Sequence, residues 1–223
     1  FEDVPFGTYI VREIAAPTGY VLNEALHYVS VTVNEEVIEF KITDKLIIGS
    51  VRLTKVDADY PANKLIGAVF ELYQDTDGNQ KFNPKKDALV AEIPEISEGI
   101  YQTDGLLYGG YFVKEKTAPE GFVLDENAYF FEINEDGKIV DVENEAGVGF
   151  INKPITGKLE LTKTDVSDGK LLPNAKFRIK DEDGNVVATG VTDQDGLATF
   201  TLRYGKYTYQ EYDAPEGYLI DER

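Results

Sequence analysis

One pattern recurs three times along the chain: GTYIVREIAAPTGY from Gly7 to Tyr20, GGYFVKEKTAPEGF from Gly109 to Phe122, and GKYTYQEYDAPEGY from Gly205 to Tyr218. A tandem repeat makes each copy one folding unit, so the chain reads as a series and not as one large domain. A second element, GSVRLTKVD at Gly49–Asp57 and GKLELTKTD at Gly157–Asp165, precedes two of these copies. A third closes each unit before the next begins: EFKITDKLIIG ends at Gly49 and GFINKPITG ends at Gly157, which puts Asp44 and Asn152 at the same offset. The period is about one hundred residues. The order of elements predicts the C-terminal part of a repeat over 1–48, a complete repeat over 49–156, and the N-terminal part of a third over 157–223.

Between these signals the sequence reads as short strands. HYVSVTVN, AVFELY, AYFFEI and LATFTL are rich in β-branched and aromatic residues and are separated by turn pairs such as DG, EG and GN. No stretch carries a helical period. The expected fold is all-β: tandem β-sandwich domains with seven or so strands in each complete unit. The joints KLIIG and KPITG are too short to swing freely, so a fairly stiff array is expected.

Composition removes several function classes. Forty-one acidic against twenty-two basic residues give a formal charge of −19, which opposes binding to nucleic acid or to anionic membrane surfaces. No cysteine is present, so disulfides, thiolate metal sites and cysteine nucleophiles are excluded. The single histidine, His27, cannot build a zinc cluster and reads as structural. There is no membrane-length apolar run and no signal-peptide pattern at the start. With Phe1 in place of an initiator methionine, the chain is expected to be an excerpt from a longer protein.

Strand alternation then places three polar groups where the core should be. Val51, Leu53 and Lys55 share one face of their strand; so do Tyr111, Val113 and Glu115, and so do Val148, Phe150 and Asn152. The partial units repeat the pattern in Tyr9, Val11 and Glu13, in Phe40, Ile42 and Asp44, in Leu159, Leu161 and Lys163, and in Tyr207, Tyr209 and Glu211. Burial pushes an amine and a carboxyl toward their neutral forms. A neutral Lys55 amine could attack the side-chain carbonyl carbon of Asn152 while Glu115 polarises that carbonyl and passes protons to departing ammonia. The product would be an intramolecular isopeptide bond. The competing reading is a structural Lys55–Glu115 ion pair with Asn152 hydrogen-bonded beside it.

LTKVD opening a unit, YFVKEKTAPEGF late in it and FINKP closing it resemble the Cna B-type, or SpaA-type pilin, domains of Gram-positive surface proteins. The resemblance implies a prealbumin-like, inverse-immunoglobulin β-sandwich with an autocatalytic Lys–Asn or Lys–Asp bond between first and last strands. Carried over, it makes Lys55 the nucleophile, Asn152 the acceptor and Glu115 the catalytic acid. Glu13 and Asp44 match an acid and acceptor, and Lys163 and Glu211 match a nucleophile and acid. Asp44 in place of asparagine would release water where Asn152 releases ammonia. The implied role is a stalk or spacer of a cell-surface adhesin or pilin-like protein, extracellular and wall-anchored, with no turnover activity and no cofactor. Its partners would be neighbouring repeats in the same chain. A ligand-binding module for a host protein or glycan is the alternative.

Three further segments invite a function. DTDGNQKFNPKKD, from Asp75 to Asp87, sets Asp75, Asp77 and Asn79 at the alternate positions of a calcium loop, but Lys86 stands where an EF-hand has its bidentate glutamate. An ordinary acidic hairpin is the preferred reading there, with calcium the competing one. YPANK at Tyr60–Lys64 has Ala62 where a polymerising pilin motif carries lysine, and reads as a loop. The aromatic residues fall mainly at core phases, leaving a binding platform as the minority reading.

Overall fold

Alternating apolar and polar residues form strands joined by turns and loops; the computed structural model describes residues 2–220, and no helix among them is long and apolar enough to cross a membrane. The strands are β1 (Gly7–Val11), β2 (Tyr20–Val21), β3 (His27–Val31) and β4 (Lys45–Leu46), followed by β5 (Ile48–Asp57), β6 (Val69–Gln74), β7 (Ala88–Ile93), β8 (Glu95–Ser97) and β9 (Ile100–Leu107). After these come β10 (Gly109–Thr117), β11 (Ala128–Ile133), β12 (Ile139–Asp141) and β13 (Phe150–Asn152), then β14 (Thr156–Thr162), β15 (Lys176–Lys180), β16 (Val186–Val191), β17 (Leu197–Arg203) and β18 (Thr208–Asp213). Two compact units result: Phe1–Ala118 with Leu124–Ile151, and Pro119–Val123 with Asn152–Arg223.

The first unit holds a sandwich. One sheet has the order β11-β10-β6-β7; the other has β12-β5-β9-β8, with β13 also paired to β5. Between them lie Val51, Leu53, Phe70, Leu72, Tyr101, Tyr111, Val113, Phe131, Ile133 and Phe150. Phe70 meets Tyr101 and Phe150 edge-on, with centroids 5.0 and 4.9 Å away, an arrangement that adds electrostatic attraction to area burial. The same unit contains the β1–β3 and β2–β4 pairs. His27 stacks on Phe40 at 5.6 Å. The second unit has sheets β14–β17 and β16-β15-β18 around Ala175, Phe177, Ile179, Ala198 and Phe200.

Three inward placements depart from simple alternation. Val148 is exposed because it lies in the turn before β13, where its N–H donates to the Glu145 carbonyl at 3.0 Å. Tyr209 is 60% exposed although it sits opposite the buried Ile179. In its sheet β18 is an edge strand, whereas β10 lies between β11 and β6 and is covered from both sides. Residues 38–44, containing Phe40, Ile42 and Asp44, form no strand, and Phe40 is exposed; no lysine-bearing strand equivalent to β5 lies beside them among the described residues.

The APTGY and APEGF loops build the same contact, each with the joint that closes its own repeat. In the first unit the Ile47 N–H donates to Gly19 O at 2.9 Å and the Tyr108 N–H to Ile47 O at 3.1 Å. In the second unit Ile155 and Tyr204 repeat this with Gly121, both at 2.8 Å. Gly121 has φ +82°, and a β-carbon there would meet the Tyr204 ring at 2.8 Å, so both conformation and close approach require glycine.

Candidate functional site

β5 and β10 face each other across the sandwich, and their inward registers end in polar groups. Lys55 is 0% exposed and Glu115 1% exposed, while Val51, Leu53 and Val113 beside them are wholly buried. The Lys55 Nζ lies 3.8 Å from Glu115 Oε1, an ion-pair separation longer than a hydrogen bond. It donates to the Phe150 carbonyl at 3.1 Å and sits 5.6 Å from the centroid of the Phe150 ring. Burial is the dominant influence on this amine and pushes it down to about 8, against the opposing pull of Glu115, Asp125 and Asp57. At pH 7 about a tenth of such an amine is neutral, compared with about one in three thousand for an ordinary lysine.

Glu115 is fixed by its other oxygen. Oε2 accepts the Asp125 N–H at 2.9 Å. Asp125 in turn accepts from Tyr129 at 2.6 Å and from Asn144 at 2.8 Å. Burial raises the Asp125 carboxyl, but those bonds and others from Asn127 outweigh it and hold the group below its ordinary value. The sequence reading missed Asp125. Its signal was the shared offset after each repeated glutamate, because Glu13 Oε2 likewise accepts the Asn23 N–H at 2.9 Å.

Asn152 is 2% exposed on β13, the strand that pairs with β5. Its Nδ2 donates to the Val123 carbonyl at 2.9 Å, which orients the carboxamide. Asn144 helps to seat β13: its Oδ1 accepts the Ile151 N–H at 2.6 Å, and its Nδ2 donates to Ile151 O at 2.9 Å.

The first and third copies place their residues differently. Lys163 reaches Glu211 Oε2 at 2.9 Å; the lysine side chain is 18% exposed and the glutamate 2%. Glu13 and Asp44 are half-buried. Burial first, then the charge of Glu13 and a hydrogen bond with it, raise the Asp44 carboxyl. Two acids face each other there, whereas the middle copy carries the neutral carboxamide of Asn152 at the position of Asp44.

Asp75 and Asp77 converge with Asp87. The Asn79 carboxamide oxygen accepts the Lys81 N–H at 2.7 Å, a local turn. Tyr60–Lys64 lies in the connection between β5 and β6. Phe70, Tyr101, Tyr111, Phe131, Phe150, Phe177 and Phe200 are core residues, whereas others such as Tyr28, Tyr60, Tyr204 and Tyr209 are exposed; an outer group of Tyr73, Phe82, Phe112 and Phe130 packs on itself edge-on.

Residues 1–46, 49–146 and 157–223 match the SpaA prealbumin-like fold domain family. Among solved structures, the Bacillus anthracis TIE protein is 37% identical with a TM-score of 0.77, over 99% of this chain and 39% of that one. This chain therefore spans well under half the length of that protein. A streptococcal ancillary pilin is 23% identical with a TM-score of 0.37, covering 98% of this chain and 70% of that chain. A C-terminal fragment of the pilus adhesin SpaC from Lactobacillus rhamnosus GG is 18% identical with a TM-score of 0.47, covering 78% and 77%. No curated protein matches.

Proposed function

The chain belongs to the SpaA prealbumin-like fold domain family, and on that premise we propose that it is a structural segment of a Gram-positive surface protein whose 49–156 copy ties itself with a Lys55–Asn152 isopeptide bond. The observation that carries this reading is a desolvated lysine 3.8 Å from a buried glutamate, on a strand that pairs with β13.

The neutral Lys55 amine attacks Cγ of Asn152, and Glu115 stabilises the developing oxyanion as the acid. Nζ gives up a proton as the C–N bond forms; the Asn152 nitrogen takes one up and leaves as ammonia. An amine and a carboxamide thus become one secondary amide and one ammonia, with no external reagent. The reaction runs once per copy, so the role is structural and not turnover catalysis.

The bond would join residues 97 positions apart near the two ends of the copy. Tension would then pass along it instead of through the strand ladders. By the chain-entropy relation for cross-links, closing a loop of about one hundred residues stabilises by roughly 4.7 kcal/mol. Unlike a disulfide, the amide resists reduction, which suits a chain without cysteine. The role as a wall-anchored, extracellular stalk belongs to the same proposal.

The role of Glu115 is tested by Glu115→Ala. The folded variant should keep its ammonia, and proteolysis should yield separate peptides for Lys55 and Asn152. A branched Lys55–Asn152 peptide in that variant would remove Glu115 from the mechanism.

A further inference from the structure

The acidic insertion between β6 and β7 takes no part in the proposed bond. Asp75, Asp77 and Asp87 each bring one carboxylate oxygen within 4.8 Å of the others. Asp87 is only 5% exposed. Its Oδ2 accepts the Asn83 N–H at 2.6 Å, while its Oδ1 is buried without a hydrogen-bond partner. Asp75 repeats the arrangement: Oδ2 accepts the Gln80 N–H at 2.9 Å, and Oδ1 is buried without a partner. A desolvated carboxylate oxygen lacking a donor is costly, and two such groups facing one another repel. We propose that residues 75–87 form a calcium site, with Asp75, Asp77 and Asp87 as its carboxylate ligands.

The donor set selects the metal class. These ligands offer only carboxylate oxygen, which suits a hard cation and disfavours zinc or copper. Calcium accepts an irregular shell completed by backbone carbonyls and water, whereas magnesium demands near-octahedral order. Lys86 Nζ lies 3.2 Å from Asp77 Oδ2 and is the internal cation that calcium would displace.

The third copy supplies a contrast within the chain. DEDGN at Asp181–Asn185 has the same opening, but Asp181 Oδ1 accepts from Asp183 and Asn185 backbone N–H groups and Oδ2 from the Asn185 side chain. β16 begins at Val186, leaving no room for a second acidic arm. In the 75–87 loop, Phe82 already packs against Tyr73 of β6 and Phe112 of β10. Calcium would add a second fastening and hold the loop over the outer face of that sheet.

The test is calorimetric titration of the whole chelator-treated chain with calcium chloride, in parallel with magnesium chloride. One calcium per chain is expected, with a dissociation constant on the order of 10⁻⁴ to 10⁻³ M, as in extracellular modules. Asp87→Asn keeps an oxygen for the Asn83 N–H and should weaken binding by about tenfold or more. Asn79→Ala should leave affinity unchanged, and Lys86→Ala should tighten it. Asp77→Asn, at an exposed position, should also weaken binding and provides the decision should Asp87→Asn fail to fold. Absence of binding up to about 10 mM calcium, magnesium binding as tight as calcium, or wild-type affinity in the aspartate variants would overturn the proposal.

Discussion

Lys55–Glu115 and Lys163–Glu211 arise from nearly the same sequence, yet they occupy different environments. The first pair is sealed, with both side chains 0% exposed and 3.8 Å between charges. The second is closer, at 2.9 Å, but its lysine is 18% exposed. In the middle copy, β13 pairs with the lysine strand and Phe150 lies against the amine. β14, which leads into Lys163, pairs only with β17 among the described strands. The comparison teaches that the repeated lysine and glutamate set direction alone; the closing strand supplies the desolvation that changes the chemistry of the amine.

The largest expected effect separates the two pairs by mutation. Lys55→Ala should remove the cross-link and lower the unfolding free energy of the complete copy by about 4–5 kcal/mol. Lys163→Ala should cost about 1–2 kcal/mol, the scale of a partly exposed charged hydrogen bond. Denaturant unfolding of the two variants measures the difference, and equal losses would break the distinction.

The next effect is pH dependence before the bond forms. The folded Lys55 value of about 8 lies below its ordinary 10.5, so in this range the unfolded state binds more protons than the folded state. Stability of an uncrosslinked Asn152→Ala chain should therefore rise as pH increases from about 8 to about 10.5 and be lowest below that window. The rate of ammonia release in freshly refolded protein should climb with pH toward a plateau above about 8, as the neutral amine accumulates. A rate independent of pH between 6 and 9 (roughly two decades of amine protonation) would contradict the assigned nucleophile.

The smallest effect concerns the glycine loops. Gly121 and Gly217 have φ values of +82° and +87°, but only Gly121 has an aromatic ring against it; nothing lies within 4 Å of the position a β-carbon would take at Gly217. Alanine at either position carries the same backbone strain, about 1 kcal/mol. Any further loss in Gly121→Ala, read by thermal unfolding, measures the Tyr204 contact. Equal losses would show that the contact contributes nothing.

Much of this was legible in the sequence because strand alternation is a local property. AYFFEI coincides with β11, and the inward faces of Val51, Leu53 and Lys55 and of Tyr111, Val113 and Glu115 follow from a period of two. Alternation failed where neighbours decide burial. Tyr209 has the right phase but lies on an edge strand, and Val148 belongs to a turn. In the acidic loop, spacing alone did not mark Asp87, which the loop's fold brings together with Asp75 and Asp77, one residue beyond the place of an EF-hand glutamate. Asp125 acts on Glu115 through a backbone N–H, a contact that residue identity does not reveal.

The central claim rests on one covalent bond, and the intact mass of the folded chain reads it directly. The account predicts a mass lower than the sequence by one ammonia, restored to the full value in Lys55→Ala. A correctly folded chain carrying its full sequence mass would contradict it.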